Sequence, residues 1–289
     1  MGSSQMVKLF QQWVSILLAI MLLTSCSGSF AYNRLDWLIP WYVDSYVDLS
    51  SEQRQSLREQ LAPLLQWHRQ EELARYLALL DKMDAELQYP VSEGQVENWI
   101  DELSQASERV EQTLLQVAID FGASISDKQM EEFIENLFSQ QEELEEELLE
   151  RNDEEYAREH TNHLEDLMKR VMGRLSKEQV QRLELAAQGM RRYDSVWLQE
   201  RRAWLDQLEV LLQRKSGWQE QVRQAYEDRL NNRSAEYTEI VEYNIDIVAA
   251  ALADVLNTRS DKQKAHTDSE FDDMRTMLQK LVDQAPGND

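Results

Sequence analysis

A short capping motif recurs along the chain and determines where its helices can begin. In each copy a serine is followed three positions later by glutamine, so that the hydroxyl accepts an orphan N–H of the first turn and the glutamine reaches back to the serine N–H. Apolar residues at helical spacing follow every copy. The copies begin at Ser50, Ser92, Ser126, Ser176, Ser216 and Ser260. They predict helices at residues 51–87, 93–121, 127–172, 177–213, 217–256 and 261–284.

The connections between these predicted helices are short, and short connections make consecutive helices antiparallel neighbours. Only 8 glycines and 4 prolines occur in 289 residues, too few for the turns of a β-rich fold. We therefore predict an all-α protein, an elongated up-and-down bundle of about six to seven long antiparallel helices. Pro63 falls inside the first long helix and is expected to kink or interrupt it.

The first 25 residues have the pattern of a bacterial signal peptide. Lys8 supplies a basic start, and an apolar run of 11 residues follows at 13–23. A bilayer-spanning helix needs about 20 apolar residues, so this run is too short to remain as a membrane span. We expect residues 1–25 to be a signal peptide, 26–50 an anchor and membrane-proximal aromatic segment, and 51–289 the helical bundle.

The signal peptide ends in Leu23-Thr24-Ser25-Cys26, which resembles the lipobox of bacterial lipoproteins. Cys26 is the only cysteine of the chain, so it is the predicted site of the diacylglycerol and palmitate groups. By resemblance to Gram-negative lipoproteins, Ser27 at the second mature position implies sorting to the outer membrane. With several acyl chains, such an anchor is effectively permanent. The mature chain has no second cysteine for a disulfide, so its stability must come from helix packing.

The charge of the chain restricts its partners. Its formal net charge is −24, and no basic cluster offsets it. Phosphate contacts dominate nucleic-acid affinity, so we expect no nucleic-acid binding. The charge also repels anionic membrane surfaces, which a covalent anchor overcomes. Basic proteins or divalent cations are the partners that such a surface would attract.

The segment after Cys26 is rich in aromatic residues. On a helix, Leu35, Leu38, Tyr42 and Tyr46 share one face, and Trp37 and Trp41 lie on another. Two interpretations remain open: the rings pack into the base of the bundle, or they contact the membrane headgroups or a partner, where tryptophan and tyrosine are favoured.

A second stretch, residues 67–76, mixes aromatic rings with charges of both signs. Glu71 and Arg75 follow Trp67 along one helix face, while His68 and Glu72 share another. The stretch is either a buried polar network or a solvated face, and the solvated face is the more common arrangement. The predicted contact residues for a membrane or a partner are Trp37, Trp41, Tyr42, Trp67, His68 and Arg69.

Acidic residues dominate the middle of the chain. Residues 142–155 contain nine acids in 14 positions, which predicts a solvated helix, although such a run could also bind a basic partner or loosely hold divalent cations. Glu159, His160 and His163 follow, and two histidines at i, i+3 can share a metal ion. Their pattern is neither His-Glu-x-x-His nor Glu-x-x-His, so we predict no metal site. Nucleophile elbows, phosphate-binding glycine loops and other catalytic motifs are also missing, so we predict neither an enzyme nor a cofactor nor a small-molecule substrate.

Three stretches resemble a proteobacterial family of helical lipoproteins of unknown function. They are Ala31-Tyr32-Asn33-Arg34-Leu35-Asp36-Trp37-Leu38, then Tyr46-Val47-Asp48-Leu49-Ser50-Ser51-Glu52-Gln53-Arg54, then Trp67-His68-Arg69 with Glu72-Leu73. Together with the lipobox the resemblance extends over most of the chain, and it implies a location and a helical fold without catalytic residues. Leu49-Ser50-Ser51-Glu52-Gln53 and Leu175-Ser176-Lys177-Glu178-Gln179 are similar to the Leu-Thr-x-x-Gln motif of Spy-like periplasmic chaperones.

Three functional hypotheses follow. The leading one is a non-enzymatic interaction or adaptor protein, anchored to the periplasmic face of the outer membrane through Cys26 and bound to another envelope protein. The second is a Spy-like chaperone for unfolded envelope clients. The third is an enzyme or a metal-dependent protein that uses Glu159, His160 and His163.

Overall fold

The computed structural model describes residues 26–231 and 233–284, so the predicted signal peptide lies outside the described residues. Regular structure in these two ranges is entirely helical, which confirms the all-α class. A π-helical segment (His68–Glu72) separates α3 from α4. The helices are α1 (Cys26–Tyr32), α2 (Leu35–Val43), α3 (Ser51–Trp67), α4 (Leu73–Leu87), α5 (Glu93–Ser124), α6 (Asp127–Glu150), α7 (Asp153–Met172), α8 (Lys177–Gly189), α9 (Asp194–Leu211), α10 (Trp218–Asn231), α11 (Ala235–Asn257) and α12 (Asp261–Asp283).

Five of the six predicted capping boxes form. The serines at 50, 92, 126, 176 and 260 each accept the N–H of the glutamine three residues later, and each glutamine side chain accepts the serine N–H. The sixth, at Ser216, was predicted wrongly, because α10 begins only at Trp218. Arg214 and Gly217 both have positive φ angles, so the chain turns just before α10, and Gly217, not Ser216, is the residue that directly precedes the helix.

The helices are shorter and more numerous than predicted, because three of the predicted long helices are broken. The predicted helix 127–172 stops at Arg151 and restarts behind Asn152, which forms a capping box with Glu155. The helix predicted at 177–213 is interrupted at residues 190–193, and the one at 217–256 before Ser234, which caps α11. Asparagine and glutamate cap a helix as well as serine and glutamine do, and the recurring motif does not include them.

Pro63 does not interrupt its helix, which was one of the two predicted effects. α3 continues through it to Trp67, and the irregular turn is the π segment five residues later. Pro63 and Glu59 are both exposed, so water can satisfy the Glu59 carbonyl that lacks a proline N–H to accept.

Six helices surround the largest core in a closed ring. α4 contacts α12, and the ring continues through α7, α8, α11 and α5 back to α4. Leu73, Leu183, Val255 and Leu281 are among the side chains buried at its centre. Burying one such side chain contributes about 1.5–3 kcal/mol, so this core supplies the stability that a disulfide-free chain needs.

A second core joins the N-terminal segment to the bundle. Val47 and Leu49, which follow α2, pack with Leu61 of α3, Phe121 of α5 and Met130 of α6. α6 packs along α9, and α9 contacts α10. Since Tyr32 and Leu35 belong to the largest core, the segment 26–50 is part of the bundle and not a separate tether.

The glutamines of the capping boxes also connect helices to each other. The Gln53 and Gln129 side-chain amides form a reciprocal pair of hydrogen bonds, 2.9 and 2.8 Å long, between the starts of α3 and α6. Gln179 and Gln263 form a similar, buried pair between α8 and α12. The motif therefore has two roles at these four glutamines, since each accepts the N–H of its own cap and its amide donates across the bundle.

Candidate functional site at the N-terminal aromatic segment

The aromatic segment divides into a buried side and an exposed side. Tyr32, Leu35, Tyr42 and Tyr46 are buried, as the interpretation of core packing predicted. Leu38 of the same predicted face is half-buried. The Tyr42 and Tyr46 hydroxyls share a hydrogen bond of 2.5 Å. Tyr42, predicted as a contact residue, is only 7% exposed and cannot reach a membrane or a partner.

The two tryptophans of α2 form the exposed side. Trp37 is 49% exposed and Trp41 is 56% exposed, and their rings are stacked at 6.5 Å between centroids and 10° between planes. We call these two residues the tryptophan face. Phe30 of α1 is exposed too, with the Arg34 guanidinium 5.4 Å from its ring centroid. Large apolar rings that lie side by side in water are unusual on a protein surface, and they indicate a site of contact with a membrane or a partner.

Helix α1 is held to the bundle by two residues of the π segment. The Tyr32 hydroxyl and His68 Nδ1 share a hydrogen bond of 2.9 Å. Arg69 donates to Asn33 Oδ1 at 2.8 Å and to the Leu281 carbonyl of α12 at 3.3 Å. Arg69 and Trp67, both predicted as contact residues, are half-buried, and Arg69 is occupied by these bonds. The start of the described chain is thus fixed to the body.

The π segment places a histidine and a glutamate in the interior. The Leu73 N–H donates to the His68 carbonyl five residues earlier, which widens the turn. His68 is 1% exposed and Glu72 is completely buried. The more common arrangement, a solvated face, was therefore the wrong prediction for these two residues, and His68 is not available as a contact residue.

Two guanidinium groups hold the Glu72 carboxylate. Arg109 of α5 donates to both of its oxygens at 2.9 Å, and Arg75 also donates to it. This bidentate geometry is the strong form of an arginine–carboxylate pair. It offsets the cost of burying the charge, so Glu72 is bound and is not a free base.

Burial governs the protonation of His68. It lowers the pKa of His68 to about 4; Glu72 opposes this effect and Arg69 adds to it. Burial likewise raises the pKa values of Tyr32 and Tyr76. The Tyr76 hydroxyl lies 3.5 Å from His68 Nε2, so the neutral imidazole has a hydroxyl at each nitrogen. This arrangement holds three helical segments together and leaves no free acid, base or nucleophile.

A second buried network lies where two of the three unpredicted helix breaks meet. Asp194, at the start of α9, is buried and accepts hydrogen bonds from Arg151 at 2.5 Å and from Arg192 at 3.0 Å. Both guanidinium groups lie near the ring of Tyr156, which is buried and donates to the Arg191 carbonyl at 3.2 Å. The sequence patterns did not predict this network, although the Asn152-x-x-Glu155 capping box was a signal for the break beside it.

Glu159 and His160 of α7 contact the same network. Arg151 donates to Glu159 at 2.5 Å, and the His160 ring lies 4.3 Å from the Tyr156 ring. The His160 and His163 rings are 6.2 Å apart and nearly perpendicular. Within the part of the chain that the structure describes, no group of three or more histidine, cysteine or acidic residues is arranged to hold a metal ion. Beside them, Glu147, Arg158 and Asp166 help to line an open groove of about 820 Å³.

Fold and interior together define a class of protein, an all-α bundle whose buried carboxylates are bound by pairs of arginines. Residues 45–239 match a family of unknown function (DUF6279), and the chain belongs to that family. The matched range includes the residues of the Asp194 network and those of the Glu72 network except Tyr32. The tryptophan face lies before the matched range. No curated protein and no solved structure matches the chain. Within the described ranges, no helix is both long enough and apolar enough to cross a membrane.

Proposed function

We propose that this chain is a bacterial outer-membrane lipoprotein, anchored through Cys26, that acts on the periplasmic side as a non-enzymatic interaction or adaptor protein. The observation that carries the proposal is the attachment of α1 to the bundle. Cys26 belongs to α1, and Tyr32, the last residue of that helix, is buried and hydrogen-bonded to His68. The predicted lipid site is thus joined to the body by one short helix.

This connection sets the distance between the body and the membrane. Six helical residues rise about 9 Å, so a lipidated Cys26 would hold the bundle against the headgroups and not at the end of a long tether. An adaptor held in this way meets envelope partners at the membrane surface. Its net charge of −24 favours partners with a basic surface.

The interior supports a binding role over a catalytic one. His68 and Glu72, the most buried titratable pair, are bound by tyrosines and arginines. The carboxylate of Asp194 is occupied in the same way. Neither carboxylate is left free to act on a substrate.

The capping motifs do not favour the chaperone alternative. The boxes at Ser50 and Ser176 both cap helices, and their glutamines pair across the bundle. Their similarity to the Leu-Thr-x-x-Gln motif thus has a structural explanation. The chaperone hypothesis predicts that equimolar soluble protein suppresses aggregation of a model client; no suppression would remove it.

In-cell photocrosslinking tests the adaptor role. A photoreactive amino acid would replace Trp37, Trp41 or Trp67 in the lipidated protein, and Tyr89, an exposed aromatic residue of the α4–α5 connection, would serve as the control position. We expect one dominant envelope protein that is captured from at least one of the N-terminal positions and not from 89. A broad set of unfolded clients would contradict the adaptor role.

Metabolic labelling tests the anchor itself. Labelled palmitate should enter the wild-type chain, and Cys26→Ser should abolish labelling and release the protein from the outer-membrane fraction. Equal labelling of both chains, or a wild type that is found only in the soluble periplasm, would refute the lipoprotein assignment.

A further inference from the structure

We propose that the tryptophan face, Trp37 and Trp41, inserts into the headgroup region of the bilayer that carries the anchor. This inference rests on the proposed attachment at Cys26, and it gives the exposed site a lipid surface as its partner. The anchor would then be joined by a second, non-covalent contact that fixes the orientation of the whole bundle.

These two rings are exposed although the tyrosines of the same segment are buried, so the aromatic content of the segment does not by itself explain their exposure. Tyr42 is buried on the same helix, and Tyr32 and Tyr46 are buried on either side of it. The remaining large exposed side chains of the described ranges, apart from Phe30, each lie on a different element: Tyr89, Leu149, Leu167, Leu185 and Val210. Trp37 and Trp41 alone form an exposed stacked pair among these residues.

The position of the pair relative to Cys26 favours the membrane as its occupant. Trp37 and Trp41 lie 11 and 15 residues after Cys26. α1 is fixed by Tyr32 and Asn33, and α2 by its buried residues Leu35 and Tyr42, so the face cannot swing away from the anchor. A lipid attached at Cys26 therefore keeps the bilayer within reach of this surface.

The chemistry of the face matches the membrane interface. Indole rings partition to the headgroup level, where the ring is in an apolar layer and its N–H in a wet one. Arg34 and Asp36 are exposed at the start of the same helix and balance each other's charge. Insertion of uncharged rings gives an acidic protein a membrane contact that does not depend on electrostatic attraction.

Site-directed spin labelling of the lipidated protein in vesicles tests the inference. Cys26 is the only cysteine and is consumed by the lipid, so Trp37→Cys and Trp41→Cys each provide a single thiol for a nitroxide label. Asp36→Cys, exposed on the same helix, is the matched control, and Tyr89→Cys is the distant one. Vesicles would contain phosphatidylethanolamine and phosphatidylglycerol. All four positions are exposed, so folding is expected to be retained, and circular dichroism would verify it.

We expect labels at 37 and 41 to be more accessible to oxygen dissolved in the lipid than to an aqueous nickel complex, and labels at 36 and 89 to show the reverse. As a second measurement, the double variant Trp37→Ser/Trp41→Ser should lose the part of the tryptophan quenching that lipids brominated near the headgroup cause in the wild type.

Two results would overturn the inference. Labels at 37 and 41 that are as accessible to nickel as the label at 89, on protein that stays with the vesicles, would leave the anchor valid and place the face in water. Labels inaccessible to both reagents would indicate a second copy of the chain as the occupant. Protein that carries no lipid and does not associate with vesicles would instead refute the proposed function, which distinguishes the two failures.

Discussion

The two buried networks of the bundle are built from the same parts but perform different structural tasks. Glu72 and Asp194 are each held by two guanidinium groups, and each lies near a histidine and two tyrosines. The Glu72 network binds α1 to the π segment and to α5. The Asp194 network binds two helix breaks to each other, that between α6 and α7 and that between α8 and α9.

The histidines show where the two networks differ. His68 has a tyrosine hydroxyl near each nitrogen, at 2.9 and 3.5 Å. His160 has a buried Nε2 without a hydrogen-bond partner. Similar residue types therefore form a fully hydrogen-bonded network in one place and leave a polar atom without a partner in the other. Whether buried polar atoms find hydrogen-bond partners depends on the packing around them and not on the residue types alone.

The largest effect is expected from removing either buried carboxylate. Glu72→Ala and Asp194→Ala should each lower the free energy of unfolding by about 3–5 kcal/mol, because each leaves a buried or half-buried guanidinium without its main partner. Chemical denaturation followed by circular dichroism measures this. Asp272→Ala, which removes an exposed partner of Arg275, should cost at most about 1 kcal/mol. If replacing either buried carboxylate lowers the free energy of unfolding no more than Asp272→Ala does, the prediction is contradicted.

Replacing the histidines separates the two networks. His68→Phe should lower the free energy of unfolding by about 1–3 kcal/mol for each tyrosine hydroxyl that it leaves buried without a partner. His160→Phe should be neutral or stabilising, since the unpartnered Nε2 is removed and the aromatic contact with Tyr156 can remain. Equal destabilisation by both variants would show that His160 is satisfied in solution.

The stability of the protein should decrease as pH falls from about 6.5 to about 4. The ordinary pKa of histidine is 6.5, and the pKa of His68 in the folded chain is about 4. Between these values the unfolded chain binds a proton that the folded chain does not, so stability is full above pH 6.5 and is lost toward pH 4 by about 1.4 kcal/mol per pH unit.

Burial also lowers the pKa of His160, with His163 adding to the effect, so this residue contributes a slope of the same sign. Denaturation midpoints between pH 4.5 and 7 for wild type, His68→Phe and His160→Phe measure both slopes. The steeper part of the dependence of stability on pH should disappear in His68→Phe and persist in His160→Phe. A wild type with constant stability over this range would contradict the prediction.

The smallest effect concerns the uncharged contacts between capping boxes. Gln53→Glu keeps an acceptor for the Ser50 N–H but loses the donor to Gln129, so it should lower stability by about 0.5–1.5 kcal/mol. Gln95→Glu alters a box that has no such cross-helix partner and should change stability by less than about 0.5 kcal/mol. If both variants behave alike, the paired amides make no net contribution.

Much of the candidate site could be predicted from the sequence because its residues are close together along it. The spacing of Tyr42 and Tyr46 against Trp37 and Trp41 defined two faces, and the structure buries one and exposes the other. The spacing also placed His68 and Glu72 together. It could not show that they point inward, because that depends on Arg109, 37 positions away, which supplies the compensating charge.

The helical class and five of the helix starts could be predicted from the sequence alone, since caps and helix propensity are local patterns. A local pattern also predicts Cys26 as the attachment point of the proposed anchor. Tertiary structure decided where helices stop and which polar groups are buried. The breaks at Arg151 and at residues 190–193 lie side by side in the bundle, where Arg151 and Arg192 both bind Asp194. A buried charge is tolerated only when other groups compensate it, and here those groups come from segments that are distant in the sequence. The packing of the whole chain brings them together, so no single stretch of sequence predicts them.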